Sequence, residues 1–226
     1  MQQETTGKEK FTQKLSSAIH KSRYVLISVL GVFAIIIITW IIITEVRSNR
    51  LETSTIILEA ASEKLDNWLD EEDEEKASSL GEELVADLEN VIDKYSRMYA
   101  GDRALFLLAS YYFYAEQWEL SAETFLKTVD ANEKSYLAPV SRINAAVALE
   151  EAGKYEDAIE IYAQVIEKDG DVSPEIPRVL FSLGRLNETH GTEGSALEYY
   201  NRLVDEYPSS SWTNLAQDRI IYLNLD

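Results

Sequence analysis

One interval recurs three times in this sequence: twelve residues separate one small side chain from another, and a large aromatic follows four residues later. Ala109, in L105-F-L-L-A109-S-Y-Y112, leads to Ser121 and Phe125. Ala146, in R142-I-N-A-A146-V-A-L149, leads to Ala158 and Tyr162, and Gly184, in L180-F-S-L-G184-R-L-N187, leads to Ala196 and Tyr200. The surrounding residues carry apolar side chains at helical spacing, with Pro and Gly confined to boundaries. Twelve residues span the rest of one helix, a tight turn and the start of the next. Antiparallel helices cross closely only where the side chains between them are very small, and a large ring one turn further on fills the wedge where they diverge. Ala109, Ser121, Ala146, Ala158, Gly184 and Ala196 are therefore read as helix-packing positions in an all-α chain.

The pattern resembles the tetratricopeptide repeat, with its W-x2-L-G-x2-Y, A-x3-F and closing P. Pro208 stands twelve residues after Ala196, and W212-T-N-L215-A216 restates the opening motif as a capping helix. The repeat interval is uneven, at 37, 38 and 32 residues from Ala109 to Ala146, Gly184 and Ala216, and Arg142 takes the place of a large apolar residue in the second unit. Ser173-Pro174-Glu175 reads as a helix start with a capping serine. Residues 52 to 100 read as a further, degenerate hairpin, with stripes at Ile57, Ala61, Leu65, Trp68 and at Leu84, Leu88, Val91, Ile92. Between the stripes, Asp70 to Glu75 form a run of carboxylates that reads as a solvated loop. The resemblance implies an α-solenoid of about four helical hairpins with a C-terminal capping helix.

Residues 24–44 carry no charge, and fourteen of these 21 are Val, Leu, Ile or Phe. As a helix they reach about 31 Å, enough for a bilayer core. At roughly −0.3 to −0.6 kcal/mol for each of the fourteen, insertion is favoured by something on the order of −4 to −8 kcal/mol. The run is longer than a secretory h-region and no small-residue cut site follows it, so it reads as a retained single-pass anchor. Five Lys or Arg precede it, against Arg47, Arg50 and Lys64 in the twenty residues beyond, which places the N-terminus in the cytoplasm. The expected organisation is a basic tail at 1–23, an anchor at 24–44, an anchor-proximal hairpin at 45–100 and repeats with their cap at 101–226. In a bacterium this gives an inner-membrane protein with a periplasmic C-terminal domain.

Beyond Thr44 there are 16 basic and 38 acidic residues, a net of −22. A surface of that sign repels nucleic-acid phosphates. Cysteine is absent, which removes disulfides, thiol catalysis and Cys-based zinc sites. Only His20 and His190 could supply imidazole, and the anchor separates them. His190-Gly191-Thr192-Glu193-Gly194-Ser195 lacks the G-K-[ST] of a phosphate loop and falls where the third unit needs a turn. Neither enzyme chemistry nor a cofactor or metal is expected.

The order of tail, anchor, hairpin and repeats is similar to that of the YfgM-like family, ancillary subunits of the SecYEG translocon. That resemblance implies an adaptor linking a periplasmic chaperone or secreted clients to the translocon. A structural scaffold in an envelope machine, such as a flagellar-motor collar or a cell-wall complex, would use the same fold. In either case the first helix of each pair would line a protein-binding groove. Read one face away from the packing positions, its residues are Phe106, Ser110 and Phe113; Ile143, Val147 and Glu150; and Phe181, Arg185 and Glu188.

Overall fold

The computed structural model describes residues 7–170, 173–191 and 193–225, and the secondary structure among them is helical. The chain divides into two units between Thr53 and Ser54. The elements are α1 (Gly7–Leu69), α2 (Glu74–Tyr95), α3 (Tyr99–Tyr114), α4 (Trp118–Ala131), α5 (Leu137–Glu151), α6 (Tyr155–Asp169), α7 (Ile176–His190), α8 (Glu193–Glu206) and α9 (Ser211–Leu223).

In the first unit the described residues belong to α1, and every described side chain from Tyr24 to Thr44 is exposed. This stretch lies within the one helix that is long and apolar enough to cross a membrane among the described residues. The unit boundary falls nine residues beyond the expected end of the anchor. A helix has no reason to stop where its side chains change from apolar to polar, because each backbone bond is closed within the segment.

The second unit is a solenoid in which each helix from α2 to α9 packs on the next in sequence, with further contacts of α3 on α5 and α7 on α9. Three antiparallel pairs form it: α3 with α4, α5 with α6, and α7 with α8, followed by α9. Two turns show how the sequence closes a pair. Gly153 takes a left-handed φ of 72°, and the Lys154 amide reaches back to the Leu149 carbonyl at 2.8 Å. At the corresponding turn Glu116 takes φ 58°, with Gln117 N–H on the Tyr112 carbonyl at 2.8 Å. Glycine reaches this conformation freely, whereas the glutamate must be held there by the turn.

The six small positions lie inside. Ala109, Ser121, Ala146, Ala158 and Ala196 have no exposed surface, and Gly184 is buried. The Ser121 hydroxyl donates to the Ala109 carbonyl at 2.9 Å, so the two crossing helices approach to within one hydrogen bond. A Cβ on Gly184 would run into the ring of Tyr200. Apolar side chains close the solenoid around these contacts, among them Tyr162, Val165, Leu180, Leu183, Leu186, Tyr200 and Leu203.

The first hairpin has its own core. Ala61 and Leu65 of α1 meet Leu84, Leu88 and Val91 of α2, which in turn pack with Ala104, Leu107 and Leu108 of α3. Lys64 ties the two helices by ion pairs to Glu83 and Asp87, and the hydrogen bond to Asp87 is the main cause that holds its ammonium pKa above the ordinary value.

Two local expectations are corrected, and one departure from the repeat pattern is explained. The carboxylate run is only partly loop, because Asp73 caps α2 by accepting from Lys76 N at 3.0 Å and Glu74 and Glu75 form its first turn. Negative charge is favourable at that helix end. Ser173 does not cap α7; the helix begins at Ile176 with Pro177 in its first turn, where a missing N–H costs nothing. Arg142, which departs from the repeat pattern in the second unit, lies buried and pairs with the buried Asp169 at the end of α6.

Ala158→Leu is expected to lower stability by roughly 1–3 kcal/mol through overpacking, read as a lower urea midpoint at unchanged slope. An unchanged midpoint would contradict this helix register.

Candidate protein-binding groove

The nine groove residues read from sequence do not behave as one surface. Ile143 is 1% exposed and packs in the core with Ala122 and Ala146, so it is corrected to a core residue. Phe106 and Phe181 occupy the same register but are only half-buried, because a phenylalanine is long enough to keep part of its ring in solvent. Phe106 packs edge-on to Phe125, with its ring centroid 5.4 Å away, and Phe181 rests against Tyr200 and Trp212.

Glu150, Arg185 and Glu188 are engaged within the solenoid. The Tyr162 hydroxyl donates to Glu150 Oε1 at 2.7 Å, while Arg185 from the next unit pairs with Oε2 of the same carboxylate. One unit on, the Tyr200 hydroxyl donates to Glu188 Oε2 at 3.0 Å, and Arg219 of α9 grips both oxygens, with Nε at 3.1 Å from Oε2. Each first-helix carboxylate thus accepts from the tyrosine of its own unit and from an arginine of the following first helix. These charged bonds are stronger than neutral ones and are half-sheltered from solvent. They serve as rungs between units.

The remaining three residues come together. Ser110 and Phe113 of α3 and Val147 of α5, with Tyr114, Phe125 and Asn144, line a cleft of about 120 Å³. The register explains why it opens there. Phe113 stands where Glu150 and Glu188 stand in later units, Phe125 where Tyr162 and Tyr200 stand, and Val147 where Arg185 stands. The first rung is therefore apolar, and no ion pair closes it. Ser110 turns its hydroxyl to the Phe106 carbonyl at 2.8 Å, and Phe113 is steadied edge-on by Trp118 at 5.0 Å between centroids. The first hairpin does not fill the cleft, since α2 packs against Ala104, Leu107, Leu108, Tyr111 and Tyr112.

Burial, with the Glu150 charge beside it, pushes the Tyr162 hydroxyl far above its ordinary range. Burial raises Tyr200 to about 12, moderated by the Arg185 charge. Among the described residues no group of three His, Cys, Asp or Glu is placed to hold a metal ion.

The tetratricopeptide-repeat family model matches residues 143–211. A TPR repeat-containing protein of Treponema pallidum (strain Nichols) is 29% identical over 118 residues, covering 52% of this chain and 48% of that protein. Photosystem I assembly protein Ycf3 of Rippkaea orientalis is 27% identical over 106 residues, covering 46% of this chain and 60% of that protein. The chain thus spans about half the length of these curated relatives. Among solved structures, the MamA RS-1 ArsTM double mutant superposes with a TM-score of 0.55 at 12% identity, covering 76% of this chain and 83% of that one. Nearly identical TPR-like repeats from Podosopora anserina give 0.53 at 18% identity, covering 77% and 85%. Both share the fold. Residues 143–211 thus match tetratricopeptide repeats, and the helical-pair architecture around them is the fold of those structures, a class of solenoid that binds other proteins or peptides.

Tyrosine in an unfolded chain titrates near about 10. A hydroxyl whose folded pKa is raised contributes stability that is whole below that value and is lost as the pH climbs through the folded pKa. The unfolding midpoint is therefore expected to fall between about pH 10 and pH 12. Tyr162→Phe with Tyr200→Phe should flatten that fall and cost about 1 kcal/mol per lost hydrogen bond at neutral pH. The same alkaline slope in the double variant would contradict the assignment.

Proposed function

We propose that this protein is a membrane-tethered adaptor that holds a segment of another protein in the cleft between α3 and α5. The observation that carries the reading is the apolar first rung: Phe113, Phe125 and Val147 leave open a space that later units close with Tyr, Glu and Arg. A cleft of about 120 Å³ takes one large apolar side chain, and the unpaired Asn144 beside it offers an amide to the segment's backbone.

Residues 24–44 supply the tether, with the basic tail on the cytoplasmic side and the solenoid in the periplasm of a bacterial cell. Tethering confines the binding site near membrane partners and raises their effective concentration. The similarity to YfgM-like translocon subunits supports the Sec translocon, or a periplasmic chaperone working beside it, as the partner. A relative named for assembling a photosystem is in keeping with a protein that acts by holding others.

A photo-crosslinking side chain at Tyr114, which is exposed beside the cleft, is expected to capture a translocon subunit or periplasmic chaperone in native membranes. Phe113→Asp should abolish that adduct while the chain stays helical by circular dichroism at the assay temperature. Adducts to flagellar-motor or cell-wall proteins would instead make the protein a scaffold. Retention of the adduct in Phe113→Asp would move the binding site elsewhere.

Topology has a separate readout, since the chain has no cysteine of its own. In intact spheroplasts an impermeant maleimide should label Glu89→Cys and spare Ser17→Cys. The reverse pattern would turn the protein around in its membrane.

A further inference from the structure

We propose that the N-terminal stretch of α1, residues 8–17, seats on anionic lipid headgroups of the leaflet in which the apolar run 24–44 begins. This rests on the tethered reading of residues 24–44, and no residue of the cleft takes part. Charge divides the chain unevenly: residues 7–23 hold Lys8, Lys10, Lys14, Lys21 and Arg23 against Glu9, whereas the residues beyond Thr44 carry a net of −22. Lys10 and Lys14 are exposed and make no ion pair among the described residues. One turn apart, they share a face of the helix with Gln13 and Ser17. Phe11 and Leu15, also one turn apart, stand about 100° further round and are 67% and 51% exposed. In sequence, Ile19 extends the apolar spacing and Lys21 the basic one.

Continuity and charge together name the occupant. One helix joins this stretch to the apolar run, so the surface of the bilayer that holds the run is the nearest partner of any kind. An apolar stripe gains by leaving water for the boundary between headgroups and acyl chains, and lysines beside it extend their ammonium groups to the phosphates. A cluster of bases next to a membrane span is drawn to anionic lipid over a Debye length of about 8 Å at physiological salt. Distance then sets a condition. Along a straight helix Lys14 stands about 15 Å from Tyr24 and Lys10 about 21 Å, past a headgroup layer of roughly 5–8 Å. Seating both therefore needs a bend in α1, and Ser16-Ser17 provides the place for it. Helices kink at small polar pairs of this kind, and the Ser17 hydroxyl donates to the Lys14 carbonyl at 3.0 Å, in competition with the backbone bond of the helix.

The chain has no cysteine, so a single labelled thiol reports one position. In the full chain reconstituted into vesicles of phosphatidylcholine with phosphatidylglycerol, a nitrobenzoxadiazole label on Leu15→Cys is expected to shift to the blue and to be quenched by doxyl phospholipid. In phosphatidylcholine alone it should stay aqueous. A label on Gln13→Cys, on the other side of the helix, should stay aqueous in both. Adding Lys10→Gln and Lys14→Gln should lower the ratio of seated to free label about tenfold or more. Equal seating in the two kinds of vesicle, or seating unchanged by the two glutamines, overturns the proposal. So does a Leu15→Cys label that stays aqueous in vesicles yet turns apolar in native membranes, which would give the stripe to a protein. Alkaline carbonate tells this failure from that of the tether. A chain stripped from the vesicles was never anchored, and both readings fall; a retained chain with an aqueous label overturns headgroup seating alone.

Discussion

The close approach of paired helices at tiny side chains is the contact on which the rest of this solenoid depends. With Ala146 against α6, or Gly184 against the ring of Tyr200, two backbones come near enough for a side chain on one helix to reach a polar group on the other. The Ser121 hydroxyl on the Ala109 carbonyl shows that separation directly. A larger residue at any of these crossings would push the axes apart, and the tyrosines one turn further on would lose their reach to Glu150 and Glu188. Packing thus sets the geometry, and the polar rungs then join one unit to the next.

Those rungs divide the groove into closed and open parts. Between the second and third units, and between the third and α9, the carboxylate is saturated by a tyrosine from one side and an arginine from the other. Half-sheltered groups with all their bonds made have little to offer a ligand, because breaking any one of them strands a charge. Between the first and second units the positions of Glu150, Tyr162 and Arg185 are held by Phe113, Phe125 and Val147, which have no such bonds to lose and a cleft to fill. The proposed binding site is therefore the point where the ladder is interrupted. The apolar cleft supplies the attraction for an apolar side chain.

Much of the fold was legible in the sequence because it rests on spacing. The twelve-residue interval located the three repeat pairs, the apolar stripes located the first hairpin, and Gly153 marks the second turn. The first turn was harder to read, since Glu116 takes the left-handed conformation that a glycine would have signalled. The groove was read less well. Helical periodicity identifies the face a residue occupies but not how deep it sits, so Ile143 was grouped with Phe106 and Phe181 although it is too short to leave the core. Pairing of each carboxylate with the tyrosine of its own unit was missed as well, yet a signal existed: Glu150 and Tyr162, Glu188 and Tyr200, and Phe113 and Phe125 are each twelve residues apart. The contrast between the two Glu-Tyr pairs and the Phe-Phe pair points to the open rung. The role of Arg142 was not legible because its partner, Asp169, lies across the pair and not beside it in sequence.

The central claim is that a protein segment enters between α3 and α5, and amide hydrogen exchange on the full chain in membranes measures it most directly. With the crosslinked partner held in place, exchange should slow in residues 110–114 and 144–151 and stay unchanged over 54–95. Slowing confined to 54–95, with the α3 and α5 amides unaffected, would contradict the account.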